Sequence, residues 1–359
     1  MSPNSIDPQK GFDEIVKAWK AAHTAGLLTK GQGYWHAGNT LDTYVNYLVG
    51  KPQNDANNIV GLSDPLFQTK KGTVENPEMW RDDYGWWGIA FLNAGQEEHA
   101  SILKLPSATV QKCFENANFC WQVMNANWLK NNKTGVRNDP TGAGVANTIT
   151  NVLFMMLSIR RSQCIGDTRA RAEALDTARA VFDWFFSHHK SPGTSGLLNS
   201  QGLVRETPGS TSNRAWTGDQ GWFWRACLVL FQLEDDGTTR KQNLSTVLRL
   251  ITQAVFKNVF VDGVVHELPY PENYDIDYAT GPGVFVRQYA AIHMIEHNVR
   301  YDLIITTAEG AWNNSDKNCG CWYAGDCKYK NLSGDPLWDL TRRTSDQDAY
   351  NALMTTRSP

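Results

Sequence analysis

What the chain lacks narrows the field first. It has no basic stripe: 34 Lys and Arg are interspersed among 37 Asp and Glu, for a formal net charge of −3. Nucleic-acid binding, which depends on clustered positive charge, is therefore not expected. The longest apolar run, Val152 to Leu157, is far short of the roughly 20 residues that span a bilayer. Met1-Ser2-Pro3-Asn4 has no basic start followed by an apolar stretch, so it is not a signal peptide, and an exported form would have its leader outside this chain. Strands do not alternate with helices, which argues against a parallel α/β sheet. Gly31-Gln32-Gly33 and Gly142-Ala143-Gly144 follow no strand, so a nucleotide-binding loop is not expected. No Pro/Ser-rich linker divides the 359 residues. One catalytic domain over 10–356 is expected, although the length alone would allow two.

Paired metal motifs are also missing. The seven cysteines include no C-x-x-C pair with a nearby His. Cys319, Cys321 and Cys327 crowd into one loop, where a disulfide staple is expected. Cys113 and Cys120 are seven residues apart, about 10 Å along an unbroken helix, so they can pair only if the helix breaks between them. His293-Met294-Ile295-Glu296-His297 has the H-x-x-E-H spacing of a zinc helix. No second Glu-bearing helix supplies a third ligand, so ordinary helical histidines are expected there, and no metal. Sequons start at Asn132, Asn243, Asn313 and Asn331. With the clustered cysteines they point to a secreted, disulfide-bonded glycoprotein. A monomer is expected.

What is present is helix and tryptophan. Phe12, Ile15, Val16, Trp19 and Ala22 recur at helical spacing, which predicts a helix over 11–28. Asn39 and Thr40 are placed to cap a second helix across Leu41 to Leu48. Residues 50–76 read as a long loop. Further helices are predicted at 77–93, 107–130, 145–163, 168–189, 213–233, 240–258, 283–300, 302–313 and 345–356. Hairpin pieces are expected at 197–206 and 260–268. Helices that come in pairs without a linker suggest a closed all-α toroid of helical hairpins. Fourteen tryptophans exceed the needs of such a core. Trp35, Trp80, Trp216, Trp312 and Trp322 stand beside polar residues, where an indole face suits the C–H face of a sugar ring.

The segment that carries chemistry is Trp80-Arg81-Asp82-Asp83-Tyr84-Gly85-Trp86-Trp87. Glycosidic cleavage needs two carboxyl groups: one protonates the leaving oxygen, and the other attacks the anomeric carbon or activates water. An aromatic pocket would drive the two toward different protonation states. Residues i and i+1 of a helix point about 100° apart, so both could serve one substrate only at a helix end facing a concave mouth. The alternative is that the pair simply complements the helix dipole.

Asp82-Asp83-x-x-Trp86-Trp87 resembles the signature of glycoside hydrolase family 76, the α-1,6-mannanases. Asn147-Thr-Ile-Thr-Asn151, Trp216-Thr217-Gly218-Asp219-Gln220-Gly221, the loop around Glu267 and Gly283-Val-Phe-Val-Arg287 resemble later family segments in the same order. The resemblance implies an (α/α)6 barrel and a retaining endo-hydrolase without metal or organic cofactor. It further implies Asp82 as nucleophile and Asp83 as general acid/base, with an oligosaccharide or polysaccharide as substrate. Two departures bear on the substrate: Gly218-Asp219 replaces a Tyr-Asn, and Gly281-Pro282 replaces a Phe-Lys. Trp87, Asn147, Asn151, Trp216, Asp219, Gln220, Glu267 and Arg287 are the candidate sugar contacts. Asn147 and Asn151 are equally suited to capping a helix, and Arg287 to pairing with an acid. The competing readings are a transglycosidase, another six-hairpin sugar enzyme such as an uronyl hydrolase or epimerase, and a non-catalytic glycan-binding relative.

Overall fold

A computed structural model describes residues 6–52, 57–189, 196–268, 276–296, 299–314, 322 and 335–357. Helix follows helix along them: α1 (Pro8–Thr24), α2 (Gly33–Gly50), α3 (Asn57–Gln68), α4 (Arg81–Gly95), α5 (Glu97–Ile102), α6 (Ser107–Lys130) and α7 (Thr148–Cys164). Then come α8 (Thr168–Ser187), α9 (Thr217–Leu233), α10 (Thr239–Asn258), α11 (Ile276–Ala279), α12 (Gly281–Glu296), α13 (Tyr301–Asn314) and α14 (Pro336–Arg357). Strand structure among the described residues is slight. β1 (Phe260–Val261) pairs antiparallel with β2 (Val264–Val265), Phe260 opposite Val265, and Leu198 bridges Val204.

The contacts close a ring. α2 packs on α4, α4 on α7, α7 on α9, α9 on α12, α12 on α14, and α14 back on α2. These inner helices are buried on nearly every side, with polar residues such as Thr43, Gln347 and Asp348 among the buried ones; in α4 all fifteen residues but Asp82 are buried. The outer helices are amphipathic instead. α8 and α10 each bury one narrow stripe, such as Ala174, Ala178, Val181, Phe182 and Phe185 in α8. The chain alternates outer and inner helices through six hairpins, so the inner six run parallel and their N-termini share one end. This is the (α/α)6 barrel. Close approach depends on small residues at the seam of α4. A Cβ at Gly85 would stand 2.7 Å from Leu153 Cβ of α7, and one at Gly88 2.9 Å from Leu157 Cδ2.

Several boundaries differ from the sequence expectation. α2 begins at Gly33, so Asn39 and Thr40 lie inside it; Thr40 Oγ1 donates to His36 O at 2.8 Å. α3 occupies the middle of the expected loop, despite Gly61 and an internal Pro65. α14 starts nine residues early. α6 runs unbroken through Cys113 and Cys120, which are buried free thiols; Cys164 and Cys227 are free as well. Cys319, Cys321 and Cys327, and the disulfide expected there, lie outside the described residues. No described helix is long and apolar enough to cross a membrane.

Arg287 sits at the seam of α2, α12 and α14, and 6% of it is exposed. Its guanidinium donates to Thr43 Oγ1 at 2.7 Å and Asn39 Oδ1 at 2.5 Å. It also pairs with Asp348 at 3.3 Å and Asp42 at 3.4 Å. Burial, with Asp42 nearby, pushes the Asp348 carboxyl up to about 7, while Arg287 pulls it down. Removing the guanidinium would leave two buried acids without their cation. Arg287→Leu is therefore expected to lower unfolding stability by about 3–5 kcal/mol in urea denaturation; a loss under about 1 kcal/mol would show that the seam does not rely on it.

Candidate active site

The site forms at the end where the inner helices begin. α4 starts at Arg81, with Trp80 in extended conformation before it and its indole 52% exposed at the rim. A polar loop, 136–147, is laced over this start. Arg81 N donates to Asn138 O at 2.7 Å, and its guanidinium donates to Asp139 O at 2.6 Å. Asn138 clasps Asp82 reciprocally: its Oδ1 accepts from Asp82 N at 3.2 Å and its Nδ2 donates to Asp82 Oδ2 at 3.3 Å. Asp83 N donates to Asp82 Oδ1 at 3.1 Å.

Asp82 and Asp83 meet different surroundings. Asp82 projects into the cleft. Burial raises its pKa to about 6, against the opposing hydrogen bonds from Asn138 and Asp83 N–H. Asp83 turns back and accepts from Trp80 N at 2.9 Å, satisfying one free N–H of the helix start. It is 3% exposed and outside the cleft lining. The 100° between neighbours on a helix thus sends one acid to the cleft and the other to the cap.

The cleft encloses about 840 Å³, within the range of small-ligand sites. Trp35 of α2, Trp80, Asp82 and Trp86 of α4, Asn147 and Ile149 of α7, and Trp216 and Asp219 of α9 line it. Glu206, Arg214 and Tyr278 close its far side. Trp35 and Trp86 stack with ring centroids 5.3 Å apart. Tyr278 Oη donates to Glu206 Oε2 at 3.3 Å. The wall is aromatic and the floor acidic, which suits a polyhydroxylated ring.

Of the residues read from sequence, Trp35, Trp80, Asp82, Asn147, Trp216 and Asp219 are together in this cleft, and Trp312 and Trp322 are not in its lining. Asn147 also caps α7, accepting from Thr150 N at 3.2 Å. Trp87 lies in the core, its Nε1 donating to Tyr34 O at 2.9 Å. Asn151 holds the 136–147 loop from behind, accepting from Val136 N at 2.7 Å and donating to Val136 O at 3.0 Å. Gln220 does the same for Val204, at 2.8 and 2.9 Å. Glu267 accepts from Thr217 N and Leu268 N at 3.1 Å each. Arg287 is in the seam described above. Trp86, Asn138, Glu206 and Tyr278 were not singled out from sequence. Trp86 carried a usable signal: it stands four residues after Asp82, on the same helix face. His293 Nδ1 lies 2.8 Å from Val299 O, and His297 is outside the described residues. Among the described residues, no group of three His, Cys, Asp or Glu could hold a metal ion.

Asn138 lowers the Asp82 pKa by hydrogen bonding its charged form. Replacing it with Leu is therefore expected to move the Asp82 titration above about 6, as followed by carboxyl NMR. A downward move would contradict this account of the clasp. Burial disfavours the Asp82 carboxylate, so folded-state stability should fall as pH rises from 3.8 through about 6. Asp82→Asn should then melt no lower than wild type at pH 7.

The family model of glycosyl hydrolase family 76 matches residues 10–358. Among solved structures, the chain is similar to the α-1,6-mannanase of Salegentibacter sp. HEL1_6. In its inactive form two consecutive aspartates are replaced by asparagine and α-1,6-mannotriose is bound; identity is 14% over 98% of this chain and all of that one, with TM-score 0.67. A family 88 glycosyl hydrolase from Bacteroides vulgatus is 12% identical over 97% of this chain and all of that one, with TM-score 0.56. At such identities the likeness speaks to the fold. No curated protein matches. The model match runs through both the ring of hairpins and the Asp82–Asp83 helix start, and the chain belongs to glycosyl hydrolase family 76.

Proposed function

We propose that the protein is a retaining, endo-acting hydrolase of an α-linked glycan, α-1,6-mannan or a close relative, and that Asp82 and Asp83 carry the reaction. One observation carries this reading: a carboxyl group raised to about 6, Asp82, stands in an aromatic cleft at the mouth of the barrel. The Salegentibacter mannanase supports it, because its inactive form lacks two consecutive aspartates and binds α-1,6-mannotriose. A polymeric substrate also fits action outside the cell.

In the first step Asp82, ionised above about pH 6, attacks the anomeric carbon and forms a glycosyl ester. Asp83 gives its proton to the departing glycosidic oxygen. In the second step water, deprotonated by Asp83, cleaves the ester with net retention. The convergent helix N-termini favour negative charge at the mouth, which helps ionise the nucleophile. Asp83 must leave the Trp80 N–H to reach the leaving oxygen, and catalytic hydrogen bonds often form only with substrate bound. The raised Asp82 pKa favours a second reading with the roles exchanged, Asp82 acting as the acid.

Incubation with a panel of α-linked glycans, α-1,6-mannan included, tests the proposal. Wild type should release short oligosaccharides, and Asp82→Asn and Asp83→Asn should each lose about 10³-fold or more. An aryl α-mannoside, whose leaving group needs no proton, then assigns the roles. Azide rescue of the acid/base variant should give the glycosyl azide with retained α configuration, formed by opening of the glycosyl ester, whereas any azide product of the nucleophile variant should have inverted β configuration from a single direct displacement. Unaltered turnover by Asp82→Asn would end the proposal. Binding without turnover by wild type would leave a glycan-binding protein in its place.

A further inference from the structure

Two buried polar groups at the cleft floor have no partner among the described residues. Trp216 Nε1 has no acceptor, although the residue is only 8% exposed. Neither oxygen of Asp219 has a donor, and the residue is fully buried. Both line the cleft, at the start of α9. An isolated buried donor or acid costs about 1–3 kcal/mol, and what sets these two apart from the unpartnered indoles of Trp19, Trp222 and Trp338 is that both residues line the cleft.

Two glycines hold the indole in this place. A Cβ at Gly218 would run into the six-membered ring of Trp216, with Cε3 at 2.7 Å. A Cβ at Gly281, the first residue of α12, would lie 2.6 Å from Trp216 Nε1 and would strike Glu267 and Thr217 as well. Any side chain at either position would displace the indole. The cleft lining at the start of α9 is thus built around the Trp216 ring, whose Nε1 edge lies beside Gly281, Thr217 and Glu267.

We propose that Trp216 and Asp219 form a subsite for one sugar ring of the substrate, the indole N–H and the carboxyl group bonding hydroxyls of that ring. The inference rests on the glycan reading above and adds to it the residues that select the sugar. A sugar hydroxyl both donates and accepts, so it can satisfy the N–H and the acid in turn. Asp219 is suited to do both as well. Burial, then the charges of Glu206 and Glu267, raise its pKa well above the usual carboxylate range, and the neutral acid donates through its O–H. Asp82, Asp139, Arg214 and Tyr278 are the other titratable groups lining the cleft. A neutral carboxyl matches an amide in shape and in hydrogen-bonding capacity, and a charged one does not.

Three variants test the subsite: Trp216→Phe, which keeps the ring and removes the N–H, Asp219→Leu, and Asp219→Asn. Their affinity for α-1,6-mannotriose, α-1,6-mannotetraose and the other oligosaccharides of the panel is read by intrinsic fluorescence in an Asp82→Asn background, and KM and kcat in the wild-type background. Trp216→Phe and Asp219→Leu should each weaken binding and raise KM about ten-fold or more, with a smaller effect on kcat. Asp219→Leu should melt at or above wild type, because it removes an unpartnered buried acid, so weaker binding will not reflect misfolding. Wild-type KM should rise as pH is raised and Asp219 ionises, whereas Asp219→Asn should lack that component. If oligosaccharides bind and both Trp216→Phe and Asp219→Leu bind them as tightly as wild type, the subsite is refuted and the glycan reading stands. If wild type neither binds nor cleaves any of the panel, both fail together.

Discussion

The ring depends on one buried cation. Six inner helices can close only if the last packs on the first, and Arg287 bonds across that joint. From α12 it reaches Asn39, Thr43 and Asp42 on α2 and Asp348 on α14. Apolar packing alone would allow these helices to slide, because dispersion and burial carry little direction. A guanidinium fork fixes register, since its donors meet their acceptors at one offset only. The hairpins make the inner helices parallel, so all six begin at one end, and Arg287 fixes the offset between three of them.

Loops at that mouth are fastened by side-chain amides used in one way. Asn151 grips both backbone groups of Val136, Gln220 grips both of Val204, and Asn138 grips the N–H and carboxylate of Asp82. Each amide has one donor end and one acceptor end, so it substitutes for a strand partner where no strand is available. Irregular loops thereby gain two backbone bonds apiece while resting on rigid helices. Asp82 stands on a helix, and the loop that restrains it is itself anchored by another helix. That is the arrangement a positioned reacting group needs.

Much of the architecture was legible in the sequence because outer helices carry a clean 3.6-residue stripe. α6 matched its expected limits, 107–130, and α10 and α13 came within a residue. Inner helices gave weaker signals, since a helix buried on all sides has no polar face to mark its rotation. That is why Asn39 and Thr40 suggested a cap while lying mid-helix; α3, an outer helix, read as a loop because Gly61 and Pro65 interrupt its pattern. The same loss of phase explains the site. Asp82, Asn147, Trp216 and Asp219 sit at helix starts, where residue type and position together indicate a mouth. Asn151, Gln220 and Arg287 are chemically as suited to sugars, but they lie one or more turns deeper, where polar groups tie the barrel together. Trp86 and Trp87 are indistinguishable by composition; only the four-residue step from Asp82 separates the cleft indole from the core one.

The two aspartates show how far a single residue step changes the surroundings of a carboxyl group. Asp83 finds a backbone N–H and is satisfied there. Asp82 receives two hydrogen bonds, and still burial outweighs them and lifts its pKa to about 6. Asp219, also in the cleft lining, has no hydrogen bond among the described residues, and burial raises its pKa well above the usual carboxylate range. A structure selected for stability alone would have replaced both with apolar or amide side chains. Instead both acids stand in the cleft lining, while a third raised acid, Asp348, is held in the seam by Arg287. A rigid ring tolerates a strained rim because distant contributions to stability add.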